Sequence, residues 1–259
     1  MPLRAQALAL LQIQNPAEKC RQTLAWQPAT DLFDTSAHFA EPHGLPCRPE
    51  RPVLVAPSQV QRRTVHTPEG RAILIHALTH IELNAIDLAL DIVWRFPDLP
   101  QQFYLDWMAV AKDEAKHFTL LNDHLASLGF QYGDFTAHNG MWDMAEKTKN
   151  NLLARLAVVP RTMEARGLDV TPQIRDKLRS AGDPRGADIL EIILQEEIGH
   201  VAAGNRWYRW LCQQSGLDSI LTYQQLAVQY CAPRLRGPFN LEARRAAGFD
   251  EAELAALCQ

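Results

Sequence analysis

Residues 113–118 read Asp-Glu-Ala-Lys-His-Phe, and residues 195–201 read Gln-Glu-Glu-Ile-Gly-His-Val. Both contain Glu-x-x-His, a spacing that puts a carboxylate and an imidazole on adjacent turns of one helix face. Each pair follows a lone glutamate, Glu82 or Glu164, at a gap of 32 or 33 positions. A single Glu-x-x-His is weak evidence, because the spacing arises by chance in many helices. Its ordered duplication is much more specific, and it indicates two related helical hairpins.

The repeated acids and histidines are candidate metal ligands: Glu82, Glu114, His117, Glu164, Glu197 and His200. Four carboxylates and two imidazoles inside a four-helix bundle form the ligand set of a dinuclear iron or manganese site. Glu82, Glu114 and Glu197 have apolar neighbours on their own helix faces, so each must be protonated, paired or bound to a cation. The assignment of Glu164 as a ligand is less clear, because Arg161 lies on the same helix face and could form a surface ion pair with it.

Apolar periodicity and capping residues predict four long helices, near residues 70–96, 101–128, 142–167 and 184–214. We expect Thr67 to cap the first helix, Gly129 to end the second and Pro160 to bend the third. A short accessory helix is predicted to start at Thr171-Pro172 and to reach Ser180. The fold class we expect is all-α, an antiparallel four-helix bundle with one long crossover.

The positions of Glu82 and Glu114 along the bundle axis also support a shared site. Glu82 lies sixteen positions before Asp98, in the first turn between helices, and Glu114 lies sixteen positions after it. Because the rise per residue is constant in a helix, antiparallel neighbours would bring the two carboxylates to one level.

The rest of the chain is expected to pack onto the bundle as part of one domain. Residues 1–66 should hold an N-terminal helix over 3–25, broken near Asn15-Pro16, and then a proline-rich segment that wraps the surface. Residues 67–215 should form the bundle. Residues 216–259 should form a C-terminal extension, with helices near 219–230 and 250–257.

The composition is that of an ordinary globular protein, with 47% apolar residues, 22% charged residues and a formal net charge of −4 over 259 residues. This charge gives no general attraction to nucleic acid or to anionic membrane. Five cysteines without a CxxC pair favour reduced thiols over a disulfide framework or a zinc site. An apolar run at 7–11 is too short for a signal peptide, and no uninterrupted apolar run is long enough to span a membrane. We therefore expect a cytoplasmic protein.

Several other polar residues are not assigned to the candidate metal site. We interpret one polar stripe of the first long helix as solvated: His76, His80, Asp87 and Asp91. His124 and His138 are interpreted as surface or loop residues. Basic residues concentrate on the third and accessory helices: Arg155, Arg161, Arg166, Arg175, Lys177, Arg179 and Arg185. They could contact the phosphates of tRNA or of a nucleotide, or they could form a solvated face balanced by nearby acids.

At these motifs the chain resembles the ferritin-like di-iron carboxylate superfamily, over about residues 66–215. Three segments carry a closer likeness to a bacterial family of uncharacterised ferritin-like proteins: His80-Ile-Glu-Leu-Asn-Ala-Ile-Asp, Asp113-Glu-Ala-Lys-His-Phe and Gln195-Glu-Glu-Ile-Gly-His-Val. That likeness extends into residues 238–249. The segments are also similar, more distantly, to the tRNA hydroxylase that acts on isopentenyl-adenosine. The resemblance implies a ferritin-like bundle, and it implies that Asp113 and Glu196 are acids that hold the ligating imidazoles of the opposite hairpin.

A carboxylate-rich site with two imidazoles suits two iron ions, Fe²⁺ or Fe³⁺, better than zinc, and manganese is possible. The leading hypothesis is an O₂-activating oxygenase, hydroxylase or oxidase acting on an organic substrate. The alternatives are a non-catalytic or ferroxidase-type protein that handles iron or peroxide, and a manganese catalase-like protein. The segments outside the bundle favour an enzyme, because they are long enough to wall a pocket.

The expected partners are O₂ and a small molecule or nucleoside. tRNA and an external electron donor are further candidates, and a membrane is not expected.

Overall fold

The computed structural model describes residues 1–27, 35–62 and 64–257. Within these residues every regular element is helical, apart from an isolated bridge between Leu54 and Ala137. The α-helices are α1 (Leu3–Leu11), α2 (Pro16–Ala25), α3 (Pro68–Arg95), α4 (Gln101–Ser127), α5 (Gly140–Thr148), α6 (Leu152–Val158), α7 (Ala165–Ser180), α8 (Pro184–Gln214), α9 (Ser219–Gln229), α10 (Leu241–Ala246) and α11 (Glu251–Leu257). The all-α class is confirmed.

The chain divides into two compact units, Met1–Trp142 and Asp143–Gln259. We call them the first and the second unit. Each contains a long helical hairpin, α3–α4 in the first and α7–α8 in the second. The expected division into residues 1–66, 67–215 and 216–259 stays a prediction, as does the single-crossover bundle.

Local sequence signals set the ends of the first hairpin. Thr67 caps α3 by accepting a hydrogen bond from the Gly70 amide at 3.1 Å. At the turn before α4, the Tyr104 hydroxyl donates to the Phe96 carbonyl at 2.9 Å. Gly129 ends α4 with φ +86°, a conformation that glycine adopts without strain. The predicted bounds of both helices are therefore close to the observed ones.

The two N-terminal helices pack onto this hairpin, α1 against α3 and α2 against α4. The predicted break lies where Asn15 caps α2 by accepting from the Glu18 amide. Arg4 on α1 is buried, and its guanidinium donates to the carbonyls of Val93 at 3.3 Å and Trp94 at 2.5 Å. Helix ends leave such carbonyls without intrahelical partners, so Arg4 stabilises the end of α3.

The proline-rich segment is extended where the structure describes it, with a short 3₁₀ turn at Pro57–Gln59. The Val55 amide donates to the Ala137 carbonyl at 2.8 Å, and the Ala137 amide donates to the Val53 carbonyl at 3.1 Å. These bonds join the segment to the connection that follows α4. Part of the expected wrapping segment, residues 28–34 and residue 63, lies outside the described residues.

The polar stripe of α3 is buried, so its interpretation as a solvated face is wrong. His80 Nδ1 lies 2.7 Å from the Tyr132 hydroxyl, and His76 Nε2 accepts from the Gly133 amide at 3.0 Å. Burial lowers the pKa of His76 to about 4 and that of His80 to about 3. Helical periodicity shows which residues share a face, but it cannot show that a later segment covers that face.

Two acids of the same stripe are buried with cationic partners, as their charge requires. Asp87 pairs with Lys19 of α2, and Asp91 pairs with Arg95 at 2.8 Å. The interpretation of His124 as a surface residue is also wrong, because it is 3% exposed and contacts Ser127. His138 is half-buried in the connection after α4.

Among the described helices, α3 is long and apolar enough to cross a membrane by length and composition alone. Of its most apolar window, 78% is buried inside the protein. A buried core helix of a folded domain meets the same criteria of length and composition.

The second hairpin has a tight turn between α7 and α8. Gly182 takes φ +81°, and the Asp183 amide donates back to the Leu178 carbonyl at 2.9 Å. The Asp183 carboxylate then caps α8 by accepting from the Gly186 amide. The fourth predicted helix is confirmed, because α8 has the expected bounds.

The third helix was predicted to be continuous, and this prediction is wrong. Its expected range, 142–167, includes most of α5, all of α6, a π-helical turn at Val159–Glu164 and the start of α7. The accessory helix expected from Thr171 is also wrong, because α7 continues through Pro172. Pro172 has no amide to donate to the Leu168 carbonyl. That carbonyl accepts from the Asn240 side chain at 3.2 Å instead, a partner remote in sequence.

The C-terminal helices pack on α7 and α8. Their shared apolar cluster contains Ala165, Leu168, Leu194, Val201, Ala243, Ala247, Phe249 and Leu254. The helices expected near 219–230 and 250–257 correspond to α9 and α11, whereas α10 was not expected. The buried Arg244 of α10 donates to both oxygens of Asp169 on α7, at 2.9 and 2.7 Å.

Replacing Lys19 should reveal how strongly α2 stabilises α3. Within the described residues, Lys19→Met leaves the buried Asp87 carboxylate with the more distant Arg48, 3.9 Å away. We expect a loss of about 3 kcal/mol in the free energy of unfolding, measured by chemical denaturation. Arg21→Met on the same helix removes an exposed, solvent-screened pair with Glu18 and should change the free energy of unfolding far less than Lys19→Met does. Equal effects of the two changes would contradict this view of α2.

Candidate metal centre

Three of the candidate ligands meet inside the first unit. Glu82 projects from α3, and Glu114 and His117 project from α4. His117 Nδ1 lies 3.4 Å from Glu82 Oε2 and 3.3 Å from Glu114 Oε2. All three are buried, and one ligand atom of each lies within 4.8 Å of the others. They could hold a metal ion, and in the second unit Glu197 offers the same kind of ligand atom.

The antiparallel packing of α3 and α4 brings these three side chains together. A connection of five residues, 96–100, keeps α3 and α4 side by side and sets their register. The surroundings are apolar, since Ile86 on α3 and Trp107, Ala111 and Phe118 on α4 are all buried. A carboxylate in such a space is costly unless protons, hydrogen bonds or cations stabilise it.

The electrostatics of the three side chains are coupled. Burial and the neighbouring charge of Glu114 raise the pKa of Glu82 well above its usual range. Burial alone would lower the pKa of His117, but hydrogen bonds to Glu114 and Glu82 outweigh it and raise that pKa to about 11. In the metal-free protein, the raised pKa of His117 favours its charged form, and the raised pKa of Glu82 favours its neutral form. A bound cation would have to displace these protons.

The second unit carries the matching residues. His200 Nδ1 lies 3.7 Å from Glu197 Oε1 on α8, and both residues are buried. Glu164 is also buried, as the last residue of the π-helical turn before α7. Arg161 donates to Glu253 at 2.6 Å and is itself buried, which excludes a surface pair with Glu164.

Glu164 is the last residue of the π-helical turn. Two residues, Pro160 and Gly204, account for this turn. Pro160 interrupts the hydrogen-bond ladder, and the Thr162 hydroxyl donates to the Ala157 carbonyl at 2.9 Å. Gly204 of α8 faces this turn so closely that a Cβ there would lie 2.5 Å from Pro160 Cβ. π-turns inside helices often mark functional positions. Sequence reasoning expected a bend here but did not identify Gly204, whose signal was its place on the Glu197 face.

The acids next to the two Glu-x-x-His pairs have different surroundings. The Asp113 side chain is 44% exposed and lies 3.9 Å from Lys116 Nζ. Glu196 is half-buried on α8. Their expected contacts with the imidazoles stay predictions.

Two of the basic residues of the second unit are not available at the surface. Arg155 is buried and donates to Thr148 and to the Ala145 carbonyl, at 2.8 and 2.6 Å. Arg161 is buried as well. Arg175 pairs with Asp176 and Glu191. These pairs agree with the interpretation of the basic residues as a solvated face balanced by acids.

Adding one methyl group at Gly204 should disturb the turn that holds Glu164. Gly204→Ala forces the new Cβ against Pro160, and we expect it to lower the free energy of unfolding by about 1–3 kcal/mol. Gly199→Ala on the same helix meets no atom within 4 Å and should stabilise the protein by about 0.5–1 kcal/mol. Thermal and chemical denaturation of both variants measure the difference. If both changes stabilise the protein, the close approach to Pro160 does not hold.

Replacing His117 should destabilise the metal-free protein in a pH-dependent manner. The raised pKa means that the charged imidazole contributes its full stabilisation below about 6.5, its usual value, and loses it as the pH approaches about 11. His117→Gln should therefore cost about 3 kcal/mol at pH 7. The difference from the unaltered protein should narrow between pH 8 and pH 11 in chemical denaturation. A constant difference would show that the imidazole is neutral in the folded protein.

Comparisons with known proteins identify relatives without a described activity. The sequence profile of a family described as "Protein of unknown function (DUF455)" matches residues 12–255. A protein of Haemophilus influenzae, described as uncharacterized, is 42% identical over 257 residues, which cover 94% of this chain and 89% of the relative. No solved structure matches the chain. Because the family match covers nearly the whole sequence, the chain belongs to the DUF455 family.

Proposed function

We propose that this protein is a dinuclear non-haem iron protein of the ferritin-like type, a four-helix bundle with one long crossover. Its proposed ligands are Glu82, Glu114, His117, Glu164, Glu197 and His200. The observation that carries the proposal is the buried Glu82–Glu114–His117 group, with all three ligand atoms close together in an apolar hairpin. The repeat of the same residue order, also buried in the second unit, supports a second metal ion.

The chemistry of the donor set favours iron. Zinc prefers few ligands in tetrahedral geometry, whereas a carboxylate-rich set with imidazoles suits iron or manganese. Four carboxylates would offset the charge of two divalent cations. The two acids that raise the pKa of His117 to about 11 would attract a metal cation in the same way.

We further propose that the protein is an oxygenase or oxidase. Bound iron would supply the activation of O₂, and the chain would supply the environment of the reaction. Buried Trp107, Phe118 and Leu121 on α4 exclude water from the neighbourhood of Glu114 and His117. Asp113 and Glu196 would orient the imidazoles, and electrons would come from an external donor.

The organic substrate is proposed to be a small molecule, and a modified nucleoside belongs to that class. The burial of Arg155 and Arg161 and the pairing of Arg175 with acids give little support to tRNA as the substrate, because a phosphate-binding surface needs clustered, accessible cations. Iron or peroxide handling, and manganese catalase-like chemistry, are the competing outcomes of the experiment that follows.

The experiment is anaerobic loading with Fe²⁺, followed by metal analysis and exposure to O₂. We expect about two iron ions per chain and O₂ consumption that depends on them. Glu82→Gln and Glu197→Gln should each abolish that consumption while the metal-free protein stays folded. Glu191→Gln serves as the control on α8, because its side chain is 42% exposed and pairs only at the surface. Saturation at one ion per chain would refute the dinuclear site.

The identity of the reaction is tested on the same loaded protein. Peroxide disproportionation with manganese, and none with iron, would favour the catalase-like alternative. Iron oxidation that continues for many ions per chain would favour iron handling. A stoichiometric uptake of O₂ that an added reductant makes repeatable would support the oxygenase or oxidase.

Removal of metal should lower stability in a pH-dependent manner. Metal acts as a ligand of the folded state, and it competes with protons for Glu82 and His117. Glu82 has a raised pKa, so protonation relieves the repulsion from Glu114 as the pH falls. We expect chelation to lower the melting temperature by more at pH 7.5 than at pH 5.5, measured by calorimetry. An equal decrease at both values would contradict metal binding by these residues.

A further inference from the structure

A cavity in the second unit lies among the C-terminal helices, apart from the residues assigned to metal. Its volume is about 110 Å³. Its lining includes Arg161, Tyr223, Arg244, Phe249, Glu253 and Leu257. Tyr223 and Leu257 also line a larger, open groove of about 950 Å³, so the cavity adjoins a route to the surface. This volume is sufficient for a small organic ligand or several water molecules.

Arg161 is the main polar group of this cavity, and it is 2% exposed. Its Nη2 donates to Glu253 at 2.6 Å, but Nε and Nη1 have no acceptor among the described residues. Its guanidinium carbon lies 4.4 Å from the ring centroid of Tyr208 and 5.1 Å from that of Phe249. Aromatic faces attract the charge, but they do not replace the hydrogen-bond acceptors that buried N–H groups require.

Arg244 repeats this arrangement on α10. It is fully buried, and it donates to Asp169 through Nε and Nη2. Its Nη1 has no acceptor in the part of the chain that the structure describes. Phe249 lies against this guanidinium too, at 5.3 Å from the ring centroid. Two arginines that share one aromatic ring therefore both retain unused donors.

The local charges do not balance. Glu253 accepts from Arg161 and also pairs with Arg209, whereas Asp169 pairs with Arg244 and lies 3.6 Å from the more exposed Arg166. Among the described residues of these two groups, four cations thus share two acids, and Arg209 and Arg166 are partly exposed, at 34% and 37%. Because each buried arginine shares its acid with a second cation and keeps an unused donor, the cavity would attract an anion.

We propose that this cavity binds the carboxylate of a small organic acid with an apolar body. A carboxylate accepts strong hydrogen bonds from guanidinium donors. Tyr223, Phe249 and Leu257 offer apolar contacts to the rest of the ligand, as small-molecule pockets commonly do. A singly charged acid suits this wall better than inorganic phosphate, which carries more charge and no apolar surface.

Binding is tested with benzoate and hexanoate as carboxylate probes, on the full-length, metal-loaded protein. Isothermal titration should show one site per chain for each acid. Benzamide, which has the same shape without the charge, should bind at least about tenfold more weakly, because a charged hydrogen bond contributes about 1.5–3 kcal/mol. Phosphate should also bind more weakly than benzoate. Equal affinity for benzamide, tighter binding of phosphate, or no binding of either acid would overturn the proposal.

Two variants locate the site. Ala256 is exposed and lines the cavity, so Ala256→Trp should block it and remove benzoate binding. Ala255 is exposed on the same helix and does not line the cavity, so Ala255→Trp should retain the affinity. Arg161→Gln should weaken binding by at least about tenfold, and circular dichroism should show whether each variant is folded. Full affinity in Ala256→Trp would place the site elsewhere, whatever the iron content of the protein.

Discussion

Two buried carboxylates and one buried imidazole share the space between α3 and α4, and the first unit is organised around this group. The charges must be balanced locally, because little water reaches them. That requirement fixes the register of the two helices, since a shift of one turn would separate Glu82 from Glu114. The short 96–100 connection and the Arg4 contacts at the end of α3 both resist such a shift.

The sequence predicts those features that depend on neighbours in the chain. Thr67, Gly129 and Pro184 define helix ends through local hydrogen bonds or backbone preferences, and helical periodicity places Glu82 and Glu114 on apolar faces. Features that depend on distant partners were predicted wrongly. Pro172 stays inside α7 because Asn240 satisfies the carbonyl that it leaves free. His80 is buried because Tyr132 and its neighbours cover it.

The duplicated motif is repeated in sequence more faithfully than in local structure. Glu82 lies in the uninterrupted helix α3, whereas Glu164 ends a π-helical turn that Pro160 begins. π-turns inside helices are rare and often lie at functional positions. The backbone that carries Glu164 therefore differs from the regular helix that carries Glu82.

The C-terminal helices surround two buried cations in the second unit, whereas the buried polar group of the first unit contains two acids. Arg161 and Arg244 are buried among aromatic rings, and acids from α7 and α11 pair with only part of their donors. A core that served only to cover α7 and α8 would be more stable with apolar residues at these positions, because burying charge is costly. Binding an anion, in contrast, requires buried cations with unused donors, and Arg161 and Arg244 both retain such donors. The proposed carboxylate site would therefore give these two arginines a role that apolar residues could not fill.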